Sequence, residues 1–417
     1  MADAINAPAG NRPAAALKSA ELTDLFVTLA RALHQVGQPA HRVEETMALA
    51  ARRLGSELSI FSMPTGLLVS LTVEKRPETF VIRQNMGRVD LERLVQVTAV
   101  ADDLIRGLLP AAEVKTRLDG IMNAPPRWGG LAVVVAYILS AAAFAVFFGG
   151  GTTELLVSSV VGLVAGVIAV AMRQVRVSTR LFELAAAFAA AFVAESADWW
   201  LGSFVDWVPL AAGLIILLPG MSLFDAVDEL ANGHVASGGA RLAGVAVVFL
   251  ALAFGADLGW RVADFLPGER HLLESAPLAG WTIIPALICV AAGSTIRFNA
   301  RPRDGLAILL ASTIAVLGSQ AGVATAGPNV GPFLAALLLG VTANVYARIR
   351  REAPELLVTP GLALLVPGSI GVRSLAALYE QDALAGINAT FQMFVVAMAL
   401  VSGLLFSNSL VRERVPG

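Results

Sequence analysis

A short Pro-Gly motif occurs twice in the apolar part of this 417-residue chain. The first copy, LIILLPGMSL, carries Pro219-Gly220, and the second, LALLVPGSIG, carries Pro367-Gly368. Each copy lies near the middle of an apolar stretch, 208–232 and 356–380. Proline inside a helix removes a backbone donor, and in a bilayer the freed groups need partners in the protein or a cavity. One such motif is equally well explained as a tolerated kink, but two at matching positions indicate the substrate site of a secondary transporter.

The composition divides the chain into a soluble head and a membrane body. Hydrophobic residues make up 56%, charged residues 15%, and the mean hydropathy is +0.72. Much of the charge lies in residues 1–127, whereas 128–412 are mostly Ala, Leu, Val and Gly. The net charge of −2 gives no basis for a nucleic-acid partner, and a single cysteine excludes a disulfide within the chain.

We predict a polytopic α-helical membrane protein, because a span needs about 20 predominantly apolar residues. Ten stretches qualify, at 128–148, 154–172, 180–197, 208–232, 240–259, 278–297, 303–321, 330–347, 356–380 and 385–410. Gly162 and Gly166 have the GxxxG spacing that indicates close helix packing.

Arginines predict the orientation of these spans. They gather between spans two and three, six and seven, and eight and nine, and after span ten. Because basic loops stay on the cytoplasmic side, both termini are predicted there. Five spans per half is an odd number, so the halves 128–259 and 278–411 are predicted to be inverted repeats.

The residues around the two Pro-Gly motifs are the candidate substrate site. A proline after a break suits the first turn of the next half-helix. That half-helix presents free N–H groups and a partial positive charge, which favour an anionic group such as a carboxylate. Pro219, Gly220, Pro367 and Gly368 are therefore substrate-binding candidates, and the hydroxyls of Ser222 and Ser369 add donors.

Acidic residues in or near the spans are the candidates for proton coupling, because ionisable groups in a bilayer are functional by default. Asp225 and Glu229 are four residues apart and share a helix face. Asp225 is a candidate for binding a proton or a substrate ammonium, whereas a hydrated position at the interface equally explains Glu229. Glu183 is either a proton relay or an interfacial acid. Arg373 has the same offset from its Pro-Gly as Asp225, which suggests a pair between them.

The head is predicted to be a cytoplasmic α+β domain, 21–124, after a disordered lead-in over 1–20 in which no cleavable signal peptide is visible. Two amphipathic helices, three strand-like runs and two further helices follow one another. No catalytic motif or metal-ligand set is visible, so neither a cofactor nor a metal is expected. His34 and His41 flank a turn and are expected to be solvated.

Three short segments carry a resemblance to a known family. GQPAHRVEE (37–45), PTGLLVS (64–70) and RQN (83–85) resemble the soluble N-terminal region of ThrE-type threonine/serine exporters. The two Pro-Gly spans resemble the membrane halves of that family, so the resemblance extends over about 21–411. By motif, Gly37, Arg42 and Glu44 belong to the head signature.

The resemblance implies a bacterial plasma-membrane protein that exports L-threonine and L-serine, driven by the proton motive force. Related proteins that split the same parts over two chains are associated with succinate export. The leading hypothesis is therefore a proton-coupled exporter of small hydroxy-amino acids, not an enzyme. A dicarboxylate exporter, for which Arg373 would supply a second positive group, and a membrane-anchored enzyme or sensor are the alternatives. The expected partners are a small-molecule substrate and the lipid bilayer, and the sequence leaves open whether the protein forms homo-oligomers.

Overall fold

The computed structural model describes residues 19–73, 76–87, 89–174, 179–201, 207–266, 276–366, 368, 370–371 and 383–411. The chain divides into two compact units. The first unit comprises Met1–Arg88, Gln96–Ala124 and Val415–Gly417. The second unit comprises Val89–Val95 and Pro125–Arg414.

The first unit combines helices with a small antiparallel sheet in the order β1-β2-β3. Helix α1 is amphipathic, and its periodic apolar residues Phe26, Leu29 and Leu33 are fully buried. Strand β2 alternates, with Leu67 and Leu71 facing the core. The elements are α1 (Ser19–Gln35), α2 (Ala40–Arg53), β1 (Leu58–Met63), β2 (Gly66–Val73), β3 (Arg76–Arg83), α3 (Leu91–Arg106), whose first residues belong to the second unit, and α4 (Ala111–Asn123).

The turn between α1 and α2 corrects one expectation from the sequence. His34 is not solvated, because its side chain has no exposed area and its Nε2–H donates to the carbonyl of Gln84 at 3.1 Å. Gly37 adopts a φ of +86°, the left-handed conformation that glycine accepts without strain. The signature residue Glu44 accepts a hydrogen bond from the backbone N–H of Ser62 at 3.0 Å, which joins α2 to β1.

The second unit is almost entirely helical. Its helices are α5 (Gly130–Phe147), α6 (Thr152–Gln174), α7 (Thr179–Leu201), α8 (Trp207–Leu214), α9 (Gly220–Ala231), α10 (Val235–Ala263), α11 (Ile283–Arg297), α12 (Gly305–Ala326), α13 (Val330–Arg350), α14 (Glu355–Leu365) and α15 (Ala383–Leu410). Among the described residues, seven helical segments are long and apolar enough to cross a membrane. They are Gly130–Phe147, Thr152–Met172, Val235–Ala263, Gly280–Arg297, Pro302–Ala326, Val330–Arg350 and Leu384–Leu410.

Small residues let these helices approach closely. A β-carbon at Gly162 would lie 2.8 Å from Cβ of Ala141, and one at Gly166 would lie 3.0 Å from Cα of Val134. The GxxxG spacing on α6 therefore marks close packing against α5, as the sequence predicts.

Contacts along the helices also give their relative directions. Gly255 and Gly259 of α10 approach Leu184 and Phe188 of α7 in the same order, so these two helices run parallel. In the same way, Gly340 of α13 approaches Ser407 of α15, and Gly403 of α15 approaches Phe333 of α13. This second pair therefore also runs parallel.

Helices α5 and α11 instead run antiparallel. Gly293, late in α11, approaches Ala136 and Ser140 of α5. Phe144, late in α5, packs in one cluster with Ala286, early in α11.

We predict that Gly259→Ala destabilises the protein, whereas Gly244→Ala on the same helix does not. A β-carbon at Gly259 would overlap the carbonyl of Phe188 and lie 2.9 Å from Cβ of Ala191, while one at Gly244 would meet nothing within 4 Å. The expected loss for Gly259→Ala is about 1–3 kcal/mol, the usual effect of overpacking. Thermal unfolding of the detergent-solubilised variants measures the difference, and equal unfolding midpoints would contradict the packing of α7 against α10.

Candidate functional site

The first Pro-Gly motif interrupts a helix. Helix α8 ends at Leu214 and α9 begins at Gly220, so residues 215–219 are not helical. The N–H groups of Leu217 and Leu218 both donate to the carbonyl of Leu214, at 2.8 and 3.1 Å. The carbonyl of Pro219 then accepts from Leu223 at 2.9 Å and begins the hydrogen bonding of α9. Backbone hydrogen bonds are thus formed on both sides of the proline.

The second Pro-Gly motif follows the end of α14, and Gly368, Ile370 and Gly371 are helical again, so this helix too is interrupted. Val366 has an extended ψ of 136°, and its N–H still donates to the carbonyl of Leu362 at 2.9 Å. The N–H of Gly368 donates to the carbonyl of Val366 at 2.7 Å. Pro367 and Ser369, which the sequence also nominates, lie outside the described residues.

The two interruptions contact each other reciprocally. A β-carbon at Gly220 would overlap Cγ1 of Val366, the residue before the second proline. A β-carbon at Gly368 would lie 2.9 Å from Cδ1 of Leu218, the residue before the first proline. The side chains of Leu218 and Val366 are buried in the same apolar cluster. Each glycine therefore leaves room for the side chain that lies just before the proline of the other motif. We call this pair of contacts, Gly220 with Val366 and Gly368 with Leu218, the crossing.

An arginine supplies a hydrogen bond to the first interruption. The Nη2 of Arg297, the last residue of α11, donates to the carbonyl of Ile216 at 3.0 Å. Its guanidinium also lies 5.1 Å from the ring centroid of Phe298. The sequence analysis used Arg297 only to predict on which side of the membrane the connection between spans six and seven lies. A single arginine that ends an apolar helix carries no local signal of where its side chain reaches.

The chain after Arg297 is anchored within the second unit. Asn299 has a φ of +51°, and its Nδ2 donates to Oδ2 of Asp90 at 2.8 Å. The N–H of Leu91 donates to the carbonyl of Phe298 at 2.8 Å. These bonds fix the end of α11, from which Arg297 extends to the interruption.

Glu92, on the first turn of α3, forms charged contacts with two arginines. Arg127 Nε donates to its carboxylate at 2.7 Å, and Arg301 Nε lies 3.5 Å from it. The hydrogen bond from Arg127 lowers the pKa of Glu92 below its ordinary value. Because folding lowers this pKa, the ionised carboxylate of Glu92 stabilises the folded state at neutral pH. This stabilisation is lost as the pH falls through the lowered pKa.

A buried charge cluster lies on α9 beyond the crossing. Arg241 of α10 forms an ion pair with Glu229, Nε to Oε2 at 2.9 Å, and a longer one with Asp225, Nη1 to Oδ2 at 3.6 Å. The side chains of Glu229, Arg241 and Asp225 are 0%, 9% and 20% exposed. Gly238 permits the contact, because a β-carbon there would lie 2.7 Å from the carbonyl of Ala226. Two carboxylates thus share one guanidinium, and we call these three residues the α9/α10 cluster.

The remaining candidates are placed as follows. The alternative of a hydrated Glu229 is wrong, since its side chain has no exposed area. Ser222 is exposed on the first turn of α9, and Glu183 is half-buried on α7. Arg373 lies outside the described residues, so its pairing with Asp225 stays a prediction. The sequence did not nominate Arg241, although an arginine inside a long apolar helix is itself a signal of a buried partner.

These features define a polytopic helical membrane protein with two interrupted helices that meet in its core. A family model described as "Putative threonine/serine exporter" matches residues 24–263. A second, described as "Threonine/Serine exporter, ThrE", matches residues 284–410. The chain belongs to the ThrE family, as the resemblance in the sequence predicts.

Similar proteins occur in fungi. The chain is 24% identical over 380 residues to pheromone-regulated membrane protein 10 of Eremothecium gossypii, with 84% of this chain and 48% of the relative covered. The proteins of the same name from Saccharomyces cerevisiae and Candida albicans SC5314 are 25% and 26% identical, with 88% and 84% of this chain and 49% and 33% of the relative covered. The chain thus spans about half or less of the length of these relatives. No solved structure matches it.

We predict that Arg241→Gln destabilises the protein far more than Arg261→Gln on the same helix. The first change removes the guanidinium that pairs with the fully buried carboxylate of Glu229, whereas Arg261 is 64% exposed and pairs with Asp257. The expected losses are about 3–5 kcal/mol for breaking a buried pair and about 0–1 kcal/mol for an exposed one. Thermal unfolding in detergent checks both, with Arg241→Gln/Glu229→Gln expected to recover part of the loss.

Proposed function

We propose that this protein is a secondary exporter of small hydroxy-amino acids, L-threonine and L-serine, coupled to protons. The observation that carries the proposal is the crossing, where Gly220 lies against Val366 and Gly368 against Leu218. Interrupted helices that meet in the core of a membrane protein are the usual substrate site of secondary transporters. Family membership supports the choice of substrate.

We propose ten spans in two inverted five-helix repeats. The seven apolar segments, the 23-residue helix α7 and the two interrupted helices make up this number. The directions of the helices support the inversion: α5 and α11, the first helices of the two halves, are antiparallel, while α7 with α10 and α13 with α15 form matching parallel pairs. The arginine-rich connections favour cytoplasmic termini in a plasma membrane.

The substrate carboxylate is proposed to bind at the first turn of α9. The N–H groups that begin a helix have no intrahelical acceptor and carry partial positive charge. Gly220 places this end of α9 at the crossing, and Ser222 adds a hydroxyl on the same turn. The guanidinium of Arg297, bonded to Ile216, adds positive charge beside the first interruption.

Proton coupling is proposed to act through the α9/α10 cluster. Because Asp225 and Glu229 share Arg241, a proton on Asp225 would weaken the longer ion pair and leave the Glu229 pair intact. Both acids lie on α9, whose first residue is Gly220 at the crossing. Weakening the ion pairs between α10 and α9 would therefore move the first turn of α9, which forms one side of the proposed substrate site.

Dicarboxylate export is the second candidate, and the position of Arg297 favours it. A guanidinium beside the crossing is suited to a second carboxylate. The transport assay below includes succinate for this reason.

We predict that proteoliposomes loaded with labelled L-threonine release it faster under a proton gradient when they contain this protein. Gly220→Ala should lower the rate at least tenfold, because the new methyl group would overlap Val366, whereas Gly244→Ala should transport normally. Succinate-loaded vesicles serve as comparator. Release of succinate alone would move the substrate class to dicarboxylates. If the proton gradient accelerated the release of neither threonine nor succinate, proton-coupled export would be refuted.

We predict that Asp225→Asn abolishes gradient-driven threonine release but retains exchange of internal for external threonine. The amide keeps the size of the side chain and cannot gain or lose a proton. Asp257→Asn on α10, which changes an exposed ion pair, is the matched control. Normal gradient dependence in Asp225→Asn would remove this residue from the coupling mechanism.

A further inference from the structure

Residues 298–301 follow α11, and two segments that are distant in the sequence bind them. From the segment that begins α3, the N–H of Leu91 donates to the carbonyl of Phe298 at 2.8 Å. From the segment before α5, the indole N–H of Trp128 donates to the carbonyl of Ala300 at 3.0 Å. All of these residues belong to the second unit. We call residues 298–301 the α11 corner.

Asn299 joins the corner to both segments. Its Nδ2 donates to Oδ2 of Asp90 at 2.8 Å, and its Oδ1 accepts from the backbone N–H of Arg127 at 3.1 Å. Its φ of +51° is left-handed, a conformation that asparagine and aspartate adopt more readily than other residues with a side chain. Both polar atoms of the side chain therefore hold the corner in place.

The residue just before the corner reaches the first interruption. In a continuous helix the carbonyl of Ile216 would accept from the N–H of Gly220. Helix α9 instead begins at Gly220, and in the described part of the chain these two groups form no bond. Ile216 is buried, so its carbonyl needs a donor from the protein, and Arg297 supplies it at 3.0 Å. The N–H of Gly220 then remains one of the first-turn groups without an intrahelical acceptor.

We propose that Asn299 is a positioning residue of the substrate site and acts through Arg297. Asn299 fixes the corner, the corner fixes the end of α11, and Arg297 at that end holds the backbone that leads into α9. The proposal rests on the proposed binding of the substrate carboxylate at the start of α9. Because α3 begins at the corner, a displacement of its first turn would reach the first interruption by the same route.

Reversing the donor and the acceptor tests this role. Asn299→Asp keeps the size and the backbone conformation, but it removes the donor and places a second carboxylate beside Asp90. In the double variant Asp90→Asn/Asn299→Asp, one donor and one acceptor face each other again, and we call it the reversed pair. The matched control is Arg303→Gln near the corner, which changes ion pairs with Asp304 and Glu352.

Hydrogen exchange in detergent measures the first interruption without transport, because an amide exchanges when its bond opens locally. The N–H groups of Leu217 and Leu218 are hydrogen-bonded there. We predict that Asn299→Asp accelerates exchange of the peptide 215–223 about tenfold, and that the reversed pair returns it to within about twofold of the unmodified protein. Arg303→Gln should leave it unchanged. No acceleration in Asn299→Asp, or none recovered in the reversed pair, would overturn the proposal.

A second background shows whether Asn299 acts through Arg297. Arg297→Gln alone should accelerate exchange of the same peptide. Adding Asn299→Asp should then change the exchange rate no further, because residues that act through one another are not additive. If the two effects multiplied instead, Asn299 would act independently of Arg297, and the proposal would be wrong.

Threonine exchange in proteoliposomes connects the result to the substrate site. We predict that Asn299→Asp raises the external threonine concentration for half-maximal exchange about tenfold, keeps the maximal rate within about twofold, and is rescued in the reversed pair. A fall in the maximal rate alone would indicate a general structural defect and contradict the proposal. Absence of threonine exchange by the unmodified protein would refute the proposed export, whereas hydrogen exchange still decides how Asn299 acts on the first interruption.

Discussion

The backbone of two interrupted helices has to be satisfied in the core of a membrane protein, and the rest of the second unit depends on how this is done. Hydrogen bonds that water would make elsewhere must come from the protein here. Around the first interruption they come from local turns and from Arg297, which donates to Ile216. Gly220 and Gly368 then let the two interruptions pack against each other without a gap. The side chains of Leu218 and Val366 are buried in one apolar cluster at this contact.

The charged residues are arranged around this contact. Helix α9 begins at the crossing and carries Asp225 and Glu229, which share Arg241. The proposed site for the proton therefore lies on the helix that begins at the crossing. Movement of α9 at the crossing would link the proton to the proposed carboxylate site, which is what coupled transport requires.

Local patterns predicted some features well because their causes are local. The amphipathic α1, the alternating β2 and the close packing at Gly162 follow from periodicities that a short window of sequence contains. The failures have a common reason. His34 follows a helix at a glycine turn and reads as a solvated residue, but Gln84, fifty residues later, covers it and accepts its hydrogen bond. Glu229 reads as an interfacial acid until Arg241 is placed beside it.

The sequence by itself determined the class of the protein, the positions of both Pro-Gly motifs and the family. These properties depend on composition and short-range order. Only the tertiary structure decided which residues meet: Gly220 with Val366, Arg297 with Ile216, and Asn299 with Asp90. Each of these contacts joins segments far apart in the chain, and its geometry depends on how whole helices pack. Hydrophobic periodicity specifies the face that a helix buries, but it does not specify the partner that covers that face.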